Sequence, residues 1–590
     1  MDDYGAIPLG VCVLPEPEPN RARTVSYPHY IQEILEHAGV CYRAIGLQNL
    51  REKLPQLRLL VTLGETELPE DLKASLRDWV GAGGGWISVG GICGLEELLG
   101  ARYEPPAYTG WATSVSTLGE GYLQPVTGNH PILEPPSIPL HFFNGIPAQA
   151  QEAESLAVVL DAHQRPTDRQ AVLENRVGQG RCLLIAPDVT GTVVRIQQGL
   201  AVTRDGVSAP DGSAPVCDGV LKSGDGGVLD WLFDRQPVPG VPGLSAFLQP
   251  IADQWRTLLL RAIFTLAHDL DVALPLLWLY PRNLPALGHL SHDTDNNNSM
   301  RAQHLLAVLE AAQVHSTWCV ILPGYDPKLM SAIRAAGHEL ATHYDSVSAE
   351  WSEAEFERQW RHLCALLTPD IPVTNKNHYL RWEGDVEFFD WCARRGILLD
   401  QSKGASKTGE AGFNFGTCHP YLPIAFDGRT IGVLELPTPT QDLEVFAPEV
   451  LREPLLEAVL KQHGILHLLF HPDHIEKPGV AEALQRSVAE GRARGMEWWT
   501  ARQIAEWERA RRQARWHDYR REAGGVAVRL HVEEALEEAA ALWLCRRPAR
   551  LEIDGEERLG QAVTRWGFPF QAVTHTFEKD TEITLRHVES

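Results

Sequence analysis

Short apolar runs alternate with amphipathic stretches along residues 286–505, the pattern produced when strands and helices follow one another. The apolar runs predict strands at 287–291, 315–322, 339–343, 397–400, 431–436, 465–470 and 496–500. Apolar residues at helical spacing predict helices at 300–312, 328–336, from 352 onward, 386–394, 450–462 and 481–493. This alternation favours a parallel sheet. Seven strands suggest a distorted (β/α)7-type barrel, closed or nearly closed, and the alternative is an open doubly wound sheet.

The segments on either side have different patterns. Residues 1–275 alternate strands (9–14, 59–63, 86–89, 182–186) with helices (27–38, 69–81, 251–267), which predicts a flavodoxin-like α/β domain. Residues 201–247 are rich in Gly, Pro, Asp and Ser and read as a long loop. Residues 526–532, 550–553 and 581–587 have strand patterns. We therefore expect three domains: 1–275 (α/β), 286–520 (barrel) and 524–590 (small and β-rich).

Composition narrows the choice of partners and of cellular compartment. A formal net charge of −24 argues against a nucleic-acid partner and gives no support for an anionic membrane surface. No run reaches the roughly eighteen apolar residues that a membrane span needs. The ten cysteines form no C-x-x-C pair, and residues 1–19 lack the basic and apolar regions of a signal peptide. We expect a cytoplasmic protein, and the sequence leaves open whether it forms a homo-oligomer.

Three polar motifs follow predicted strands of the central segment. The first contains Asp293 and Asp295 (SHDTDN), the second contains His343 (GHELATHYD) and the third contains His471 (LFHPDH). In a β/α barrel, reactive groups collect where strands end and loops begin. Each motif alone is a weak signal, because an isolated Asp or His at such a place is usually structural. The three together, in one β-α run, indicate an active site.

These motifs resemble those of the polysaccharide deacetylase family (NodB-like, carbohydrate esterase family four and relatives). The resemblance covers about 220 residues. The family's first motif, T-F-D-D-G with an H-D-x-D variant, implies that Asp293 is the catalytic base and Asp295 a metal ligand. Its second motif implies that His343 is a metal ligand, and its fifth implies that His471 is the general acid. The implied cofactor is a divalent metal, most commonly Zn²⁺.

The second motif departs from the family at one metal ligand. Val347 stands where the family has a closing histidine, and valine cannot bind a metal. The third ligand must therefore be another group. Asp345 is the first candidate, and His474 or water are the alternatives.

The third and fourth motif regions supply candidate supporting or substrate-binding residues. Residues 375–381 (NKNHYLR) occupy the region where the family's arginine usually orients the base, so Lys376 or Arg381 must replace it. Asp400 follows an apolar strand in the fourth region. The residues assigned to supporting or substrate-binding roles are His378, Arg381 and Asp400.

The resemblance implies metal-dependent hydrolysis of an N-acetyl (N-acyl) group on a carbohydrate or glycoconjugate. The alternatives are hydrolysis of a non-sugar, cyclic amide and a noncatalytic carbohydrate-binding scaffold. The N-terminal segment resembles class I glutamine amidotransferases, because Cys93 follows a predicted strand at a Gly-Ile-Cys-Gly turn. The usual second glycine and the H-x-E pair are missing there. We therefore expect this domain to be noncatalytic.

Overall fold

The computed structural model describes residues 7–15, 27–103, 118–126, 130–133, 138–206, 218–347, 349–407, 409–522, 524–547 and 549–589. The chain divides into two units, each made of separate segments. One contains residues 1–193, 254–283 and 510–590, and the other contains residues 194–253 and 284–509. The three consecutive domains predicted from the sequence divide the chain differently, and their boundaries stay a prediction.

The second unit is built on one curled parallel sheet. Its strands are Leu287–Asp293, Thr317–Val320, Glu339–Tyr344, Thr374–Asn377, Leu399–Asp400, Leu434–Glu435, Ile465–Leu469 and Glu497–Trp498. The first six lie side by side in chain order, and the last two both pair with the first. A parallel bridge between Gln441 and Leu469 brings the chain beyond the sixth strand back to the seventh. The sequence-based expectation of a parallel, barrel-like sheet is confirmed at this level.

Helices connect these strands at the places where the apolar spacing predicts them. They are Ser299–Ala311, Pro327–Ala335, Glu353–Leu366, Glu387–Arg394, Arg452–Gln462 and Val480–Ala493. Three of them begin at a side-chain cap that accepts otherwise unpaired backbone N–H groups. The Ser352 hydroxyl accepts from the Glu355 amide at 3.3 Å, and Asn298 and Asp326 cap the first two helices in the same way.

One barrel strand, Thr374–Asn377, was not predicted from the sequence. All four of its side chains are polar and fully buried, so it has no apolar pattern. Buried polar groups need hydrogen-bond partners. Thr374 Oγ1 donates to Glu339 Oε1 at 2.5 Å, and the Asn375 amide donates to Asp400 Oδ1 at 2.7 Å. Side-chain hydrogen bonds therefore add to the backbone pairing that holds this strand between its two neighbours.

The first unit contains a nine-stranded mixed sheet. Five strands are parallel: Arg43–Ala44, Leu9–Val13, Leu59–Leu63, Gly85–Val89 and Gly180–Ile185. Four antiparallel strands continue the sheet: Pro166–Val177, Glu154–Asp161, Glu120–Pro125 and Leu140–Phe143. Its helices include Ile31–His37, Leu47–Lys53, Glu70–Gly81 and Glu96–Leu99. Four of the five parallel strands match predicted strands, but Arg43–Ala44 and the antiparallel part were not predicted, so the flavodoxin-like layout stays a prediction.

Residues near the C-terminus add two antiparallel sheets to the first unit. Arg515–Glu522, Gly525–Val532, Thr581–Glu589, Ala549–Ile553 and Glu556–Arg558 form one sheet. Leu536–Leu544, Phe568–Phe577 and Gln561–Arg565 form the other together with Leu274–Leu277. The chain passes between the units at four points, and three of these lie within helices, namely Val189–Gln198, Ile251–Asp269 and Ala501–Gln513. The predicted β-rich character of the C-terminal segment is present, with one strand contributed from much earlier in the chain.

The turn after Gly85–Val89 carries Cys93 in a left-handed conformation, with φ at 62°. The carboxylate of Glu65 accepts hydrogen bonds from the backbone N–H groups of Ile92 and Cys93, at 2.5 and 3.0 Å. The thiol is fully buried, and burial raises its pKa well above the ordinary cysteine value. A nucleophilic cysteine needs an accessible thiolate. The turn therefore holds Cys93 as a buried thiol without the accessible thiolate of a nucleophile.

The nine cysteines that the structure describes are free thiols, and Cys217 lies outside the described residues. Among the described residues, no helix is both long enough and apolar enough to cross a membrane.

Candidate metal and catalytic site

The three sequence motifs meet at the carboxyl edge of the parallel sheet. Asp293 is the last residue of the Leu287–Asp293 strand, and Asp295 follows on the loop. His343 lies near the end of Glu339–Tyr344, and His471 lies two residues beyond Ile465–Leu469. Parallel strands end at the same edge of a sheet, which brings residues distant in sequence close together.

A cluster of one carboxylate and two imidazoles lies at the centre of this edge. Asp295 Oδ1 is 3.3 Å from His343 Nε2 and 3.8 Å from His378 Nε2. One potential ligand atom from each of the three residues lies within 4.8 Å of the others. Burial raises the pKa of Asp295, but the close contact with His343 and the positive charges of the neighbouring histidines outweigh burial and lower it to about 2. The carboxylate is therefore ionised, as a metal ligand must be.

The second nitrogen of each imidazole is held so that Nε2 faces this cluster. His343 Nδ1 donates to the Lys376 carbonyl at 2.9 Å, and His378 Nδ1 lies 3.0 Å from Asp345 Oδ1. Within the part of the chain that the structure describes, His343 Nε2 and Asp295 Oδ1 are buried and make no hydrogen bond. Two oriented imidazoles and a carboxylate are the ligand set of many catalytic zinc sites, and such histidines commonly donate their other N–H to a carbonyl or carboxylate. These residues therefore fit a divalent metal.

Asp345, the predicted third ligand, does not belong to the cluster but contacts one of its members, His378. Its Oδ1 is 3.0 Å from His378 Nδ1 and accepts from the Val347 backbone N–H at 3.0 Å. The hydrogen bond from His378 lowers the pKa of Asp345. His378, predicted as a supporting residue, instead lies in the cluster with Asp295 and His343. The geometry thus favours exchanging the predicted roles of Asp345 and His378.

The predicted base, Asp293, lies beside the cluster and has a cation next to it. Lys376 Nζ is 3.3 Å from Asp293 Oδ1, and His343 Nε2 is 3.9 Å from Oδ2. Lys376 is fully buried, and its amine also donates to Ser291 Oγ at 2.6 Å. The guanidinium of Arg381 pairs with Glu383. Of the two basic residues that could replace the family's arginine, the structure therefore gives the place beside Asp293 to Lys376.

His471 is oriented by a carboxylate that sequence analysis did not identify. His471 Nδ1 donates to Asp442 Oδ2 at 2.5 Å, and the His471 backbone N–H donates to Oδ1 at 2.8 Å. His471 Nε2 is then 3.7 Å from Asp295 Oδ2. Burial lowers the pKa of His471, but Asp442 outweighs burial and raises it to about 9. His474, considered as an alternative metal ligand, is also bound to Asp442 Oδ2, at 2.8 Å.

Asp400 lies in the polar layer that supports the cluster. It accepts from Asn375 Nδ2 at 2.7 Å and from the Ser402 hydroxyl at 2.9 Å, and burial raises its pKa. Asn375 Oδ1 in turn accepts a hydrogen bond from Thr342 Oγ1 at 2.8 Å. Thr342 directly precedes His343 in the sequence. Asp400 thus joins the ends of neighbouring strands, and its supporting role in the site stays a prediction.

No protein-family model matches the chain, and no curated protein matches it. Solved structures with a similar fold include that of the carbohydrate deacetylase Agd3, with 9% identity over 99% of this chain and 98% of the other, at a TM-score of 0.41. A candidate polysaccharide deacetylase from Mycobacterium smegmatis has 21% identity over 41% of this chain and 96% of its own, with a TM-score of 0.32. A β-galactosidase from Bacillus circulans sp. alkalophilus has 15% identity over 37% of this chain and 35% of its own, with a TM-score of 0.24. These TM-scores are low, so the function proposed below rests on the geometry of the site.

Proposed function

We propose that the protein is a metal-dependent hydrolase that removes an N-acetyl group from a carbohydrate or glycoconjugate. One observation carries the proposal: a carboxylate–imidazole cluster, a separate carboxylate with a buried cation, and a carboxylate-oriented histidine meet at one sheet edge. Hydrolysis of an unactivated amide needs these three functions, namely activation of water, removal of its proton and protonation of the departing nitrogen.

We propose that the metal, Zn²⁺ by its ligand set, is held by Asp295, His343 and His378. The chemistry that a divalent ion would supply there is a lower pKa for a bound water and polarisation of the acyl carbonyl. Asp345 fixes the ring of His378, and the Lys376 carbonyl fixes the ring of His343. Both imidazoles then present Nε2 as a neutral ligand atom.

The proton transfers are assigned to two side chains. Asp293 accepts a proton from the attacking water, and Lys376, whose Nζ lies 3.3 Å from Asp293 Oδ1, holds that carboxylate in place. His471 Nε2 gives its proton to the nitrogen of the breaking C–N bond, while Asp442 stabilises the protonated ring before the transfer. The amide and one water become a free amine and acetate.

Two measurements on the purified chain test this proposal. After dialysis, elemental analysis should find one zinc per chain. Acetate should be released from oligomers of β-linked N-acetylglucosamine or of N-acetylgalactosamine. Asp293→Asn is the matched control, because it should keep the zinc and abolish acetate release.

The outcomes also separate the two alternative functions. Stoichiometric zinc together with hydrolysis of a cyclic amide, and no acetate from any N-acetyl sugar, would replace the carbohydrate substrate by a non-sugar one. A chain that binds N-acetyl sugars but holds no zinc would be a noncatalytic scaffold.

Three expectations from the sequence stay predictions. They are the similarity of the N-terminal segment to glutamine amidotransferases, the cytoplasmic location and the formation of a homo-oligomer.

A further inference from the structure

Two hydrogen bonds and an ion pair connect His467 to Asp293 through the barrel interior. His467 Nε2 is 2.8 Å from Ser291 Oγ, Ser291 Oγ accepts from Lys376 Nζ at 2.6 Å, and Lys376 Nζ is 3.3 Å from Asp293 Oδ1. Ser291 and Asp293 point to the same side of their strand because strand side chains alternate. His467 lies on the adjacent strand Ile465–Leu469.

The carbonyl of Pro437 fixes the direction of these bonds. Burial lowers the pKa of His467 well below its ordinary value, so the ring is neutral and carries one N–H. His467 Nδ1 lies 3.1 Å from the Pro437 carbonyl oxygen, which can only accept, so the proton is on Nδ1. Nε2 must then accept the Ser291 hydroxyl proton. The Ser291 oxygen consequently turns its lone pairs toward the Lys376 ammonium.

Lys376 needs such an anchor. A lysine ammonium is a point charge on a flexible chain, unlike the planar guanidinium of arginine, which makes two parallel hydrogen bonds to a carboxylate. Lys376 is fully buried, and its contact with Asp293 is longer than a good hydrogen bond. The shorter bond to Ser291 therefore sets the position of the amine.

We infer that His467 and Ser291 are positioning residues that hold the Lys376 ammonium against the Asp293 carboxylate. This inference rests on the proposed function, in which Asp293 is the base. His467 acts only through Ser291 and Lys376, so its loss should reduce turnover without affecting the metal or the binding of substrate.

Two substitutions of His467 give a matched test. His467→Asn keeps a donor near the Nδ1 position for Pro437 but removes the acceptor for Ser291, whereas His467→Gln places an amide oxygen near the Nε2 position. With an N-acetylglucosamine oligomer as substrate, His467→Asn should lower kcat by about 10- to 100-fold, with KM changed by less than about twofold. Zinc content should be unchanged. His467→Gln should recover most of the lost kcat.

The neighbouring buried histidine provides the control. The ring of His289 lies 4.6 Å from that of His467, but its nitrogens contact the Trp499 carbonyl and Gln401, outside the hydrogen-bond chain to Lys376. His289→Asn should therefore leave kcat close to that of the wild type. An equal fall in kcat for His289→Asn and His467→Asn would show a general disturbance of the interior and overturn the inference.

Other results decide the inference as well. Wild-type kcat in His467→Asn, or equal losses in the Asn and Gln variants, would overturn it. If His467→Asn fails to fold, Ser291→Ala should lose kcat and Ser291→Thr should retain it, and equal rates for the two would count against the inference. If the wild type releases no acetate, the proposed function fails separately. Crystal structures of the wild type and His467→Asn then decide: an unmoved Lys376 amine would refute the positioning role, and a displaced one would support it.

Discussion

The metal ligands can be tested by comparing two adjacent side chains that the structure gives different roles. His378 lies in the Asp295–His343–His378 cluster, and Asp345 contacts His378 at the far nitrogen. His378→Ala removes a proposed ligand. Asp345→Ala leaves all three proposed ligands in place and removes only the acceptor that orients one of them. We expect both variants to bind zinc more weakly, His378→Ala by the larger factor.

The sizes of the two effects follow from these contacts. Loss of an outer carboxylate that orients a metal-bound histidine typically costs 10- to 100-fold in affinity, so Asp345→Ala should weaken zinc binding by about that factor, or about 1.4–2.7 kcal/mol. His378→Ala leaves one carboxylate and one imidazole, and we expect a loss beyond about 100-fold because catalytic zinc usually has three protein ligands. Asp345→Asn keeps an acceptor for His378 Nδ1 and should fall between the wild type and Asp345→Ala.

Zinc affinity is measured by competition with a chromogenic chelator, and stoichiometry by elemental analysis after dialysis. Asp293→Asn is the control, because Asp293 lies beside the cluster and is not assigned as a ligand. The reasoning would be refuted if His378→Ala kept wild-type affinity while Asp345→Ala lost its zinc. In that case Asp345 would be the third ligand, as the sequence first suggested.

Three further predictions concern the residues around this cluster. Asp442→Asn should lower kcat by about 10- to 100-fold and keep the zinc, because His471 loses the charge that stabilises its protonated ring; full activity in a steady-state acetate assay would contradict this. Lys376→Met should abolish most activity and keep the zinc, measured in the same assay, and wild-type kcat would remove Lys376 from the mechanism. Cys93→Ala should leave acetate release unchanged, because Glu65 occupies the backbone N–H groups of the turn and the thiol is buried. Glutaminase activity that this substitution abolished would show instead that the turn is functional.

The sequence located the barrel and its polar edge because both leave strong local patterns. Apolar runs such as Ile465–Leu469 are buried along their whole length, and they end at the polar residues that the motifs identified. Asp442 and the strand Thr374–Asn377 leave no such pattern. The strand is polar throughout, and Asp442 acquires its role only because the chain near Gln441 returns to Leu469.

The roles of His378 and Asp345 could not be separated from spacing alone. Asp345 lies two residues from His343, which made it the nearest candidate in sequence. His378 reaches the cluster because the Thr374–Asn377 strand pairs with Glu339–Tyr344 in parallel register. The position of His378 in the cluster thus depends on a long-range pairing between strands, which no local motif encodes.

The interleaved segments of the first unit have a consequence for the order in which the chain can fold. The strand Leu274–Leu277 pairs with Leu536–Leu544, so more than two hundred residues must be synthesised before the two strands can meet. The parallel sheet strands, from Leu287 to Trp498, all leave the ribosome before Leu536. Domains generally fold in order of synthesis, and contacts distant in sequence form slowly. A nascent chain released at residue 520 would therefore contain every strand of the barrel, but Leu274–Leu277 would still lack its partner strand. An unpaired strand edge can pair with another chain, so this intermediate would be prone to aggregation.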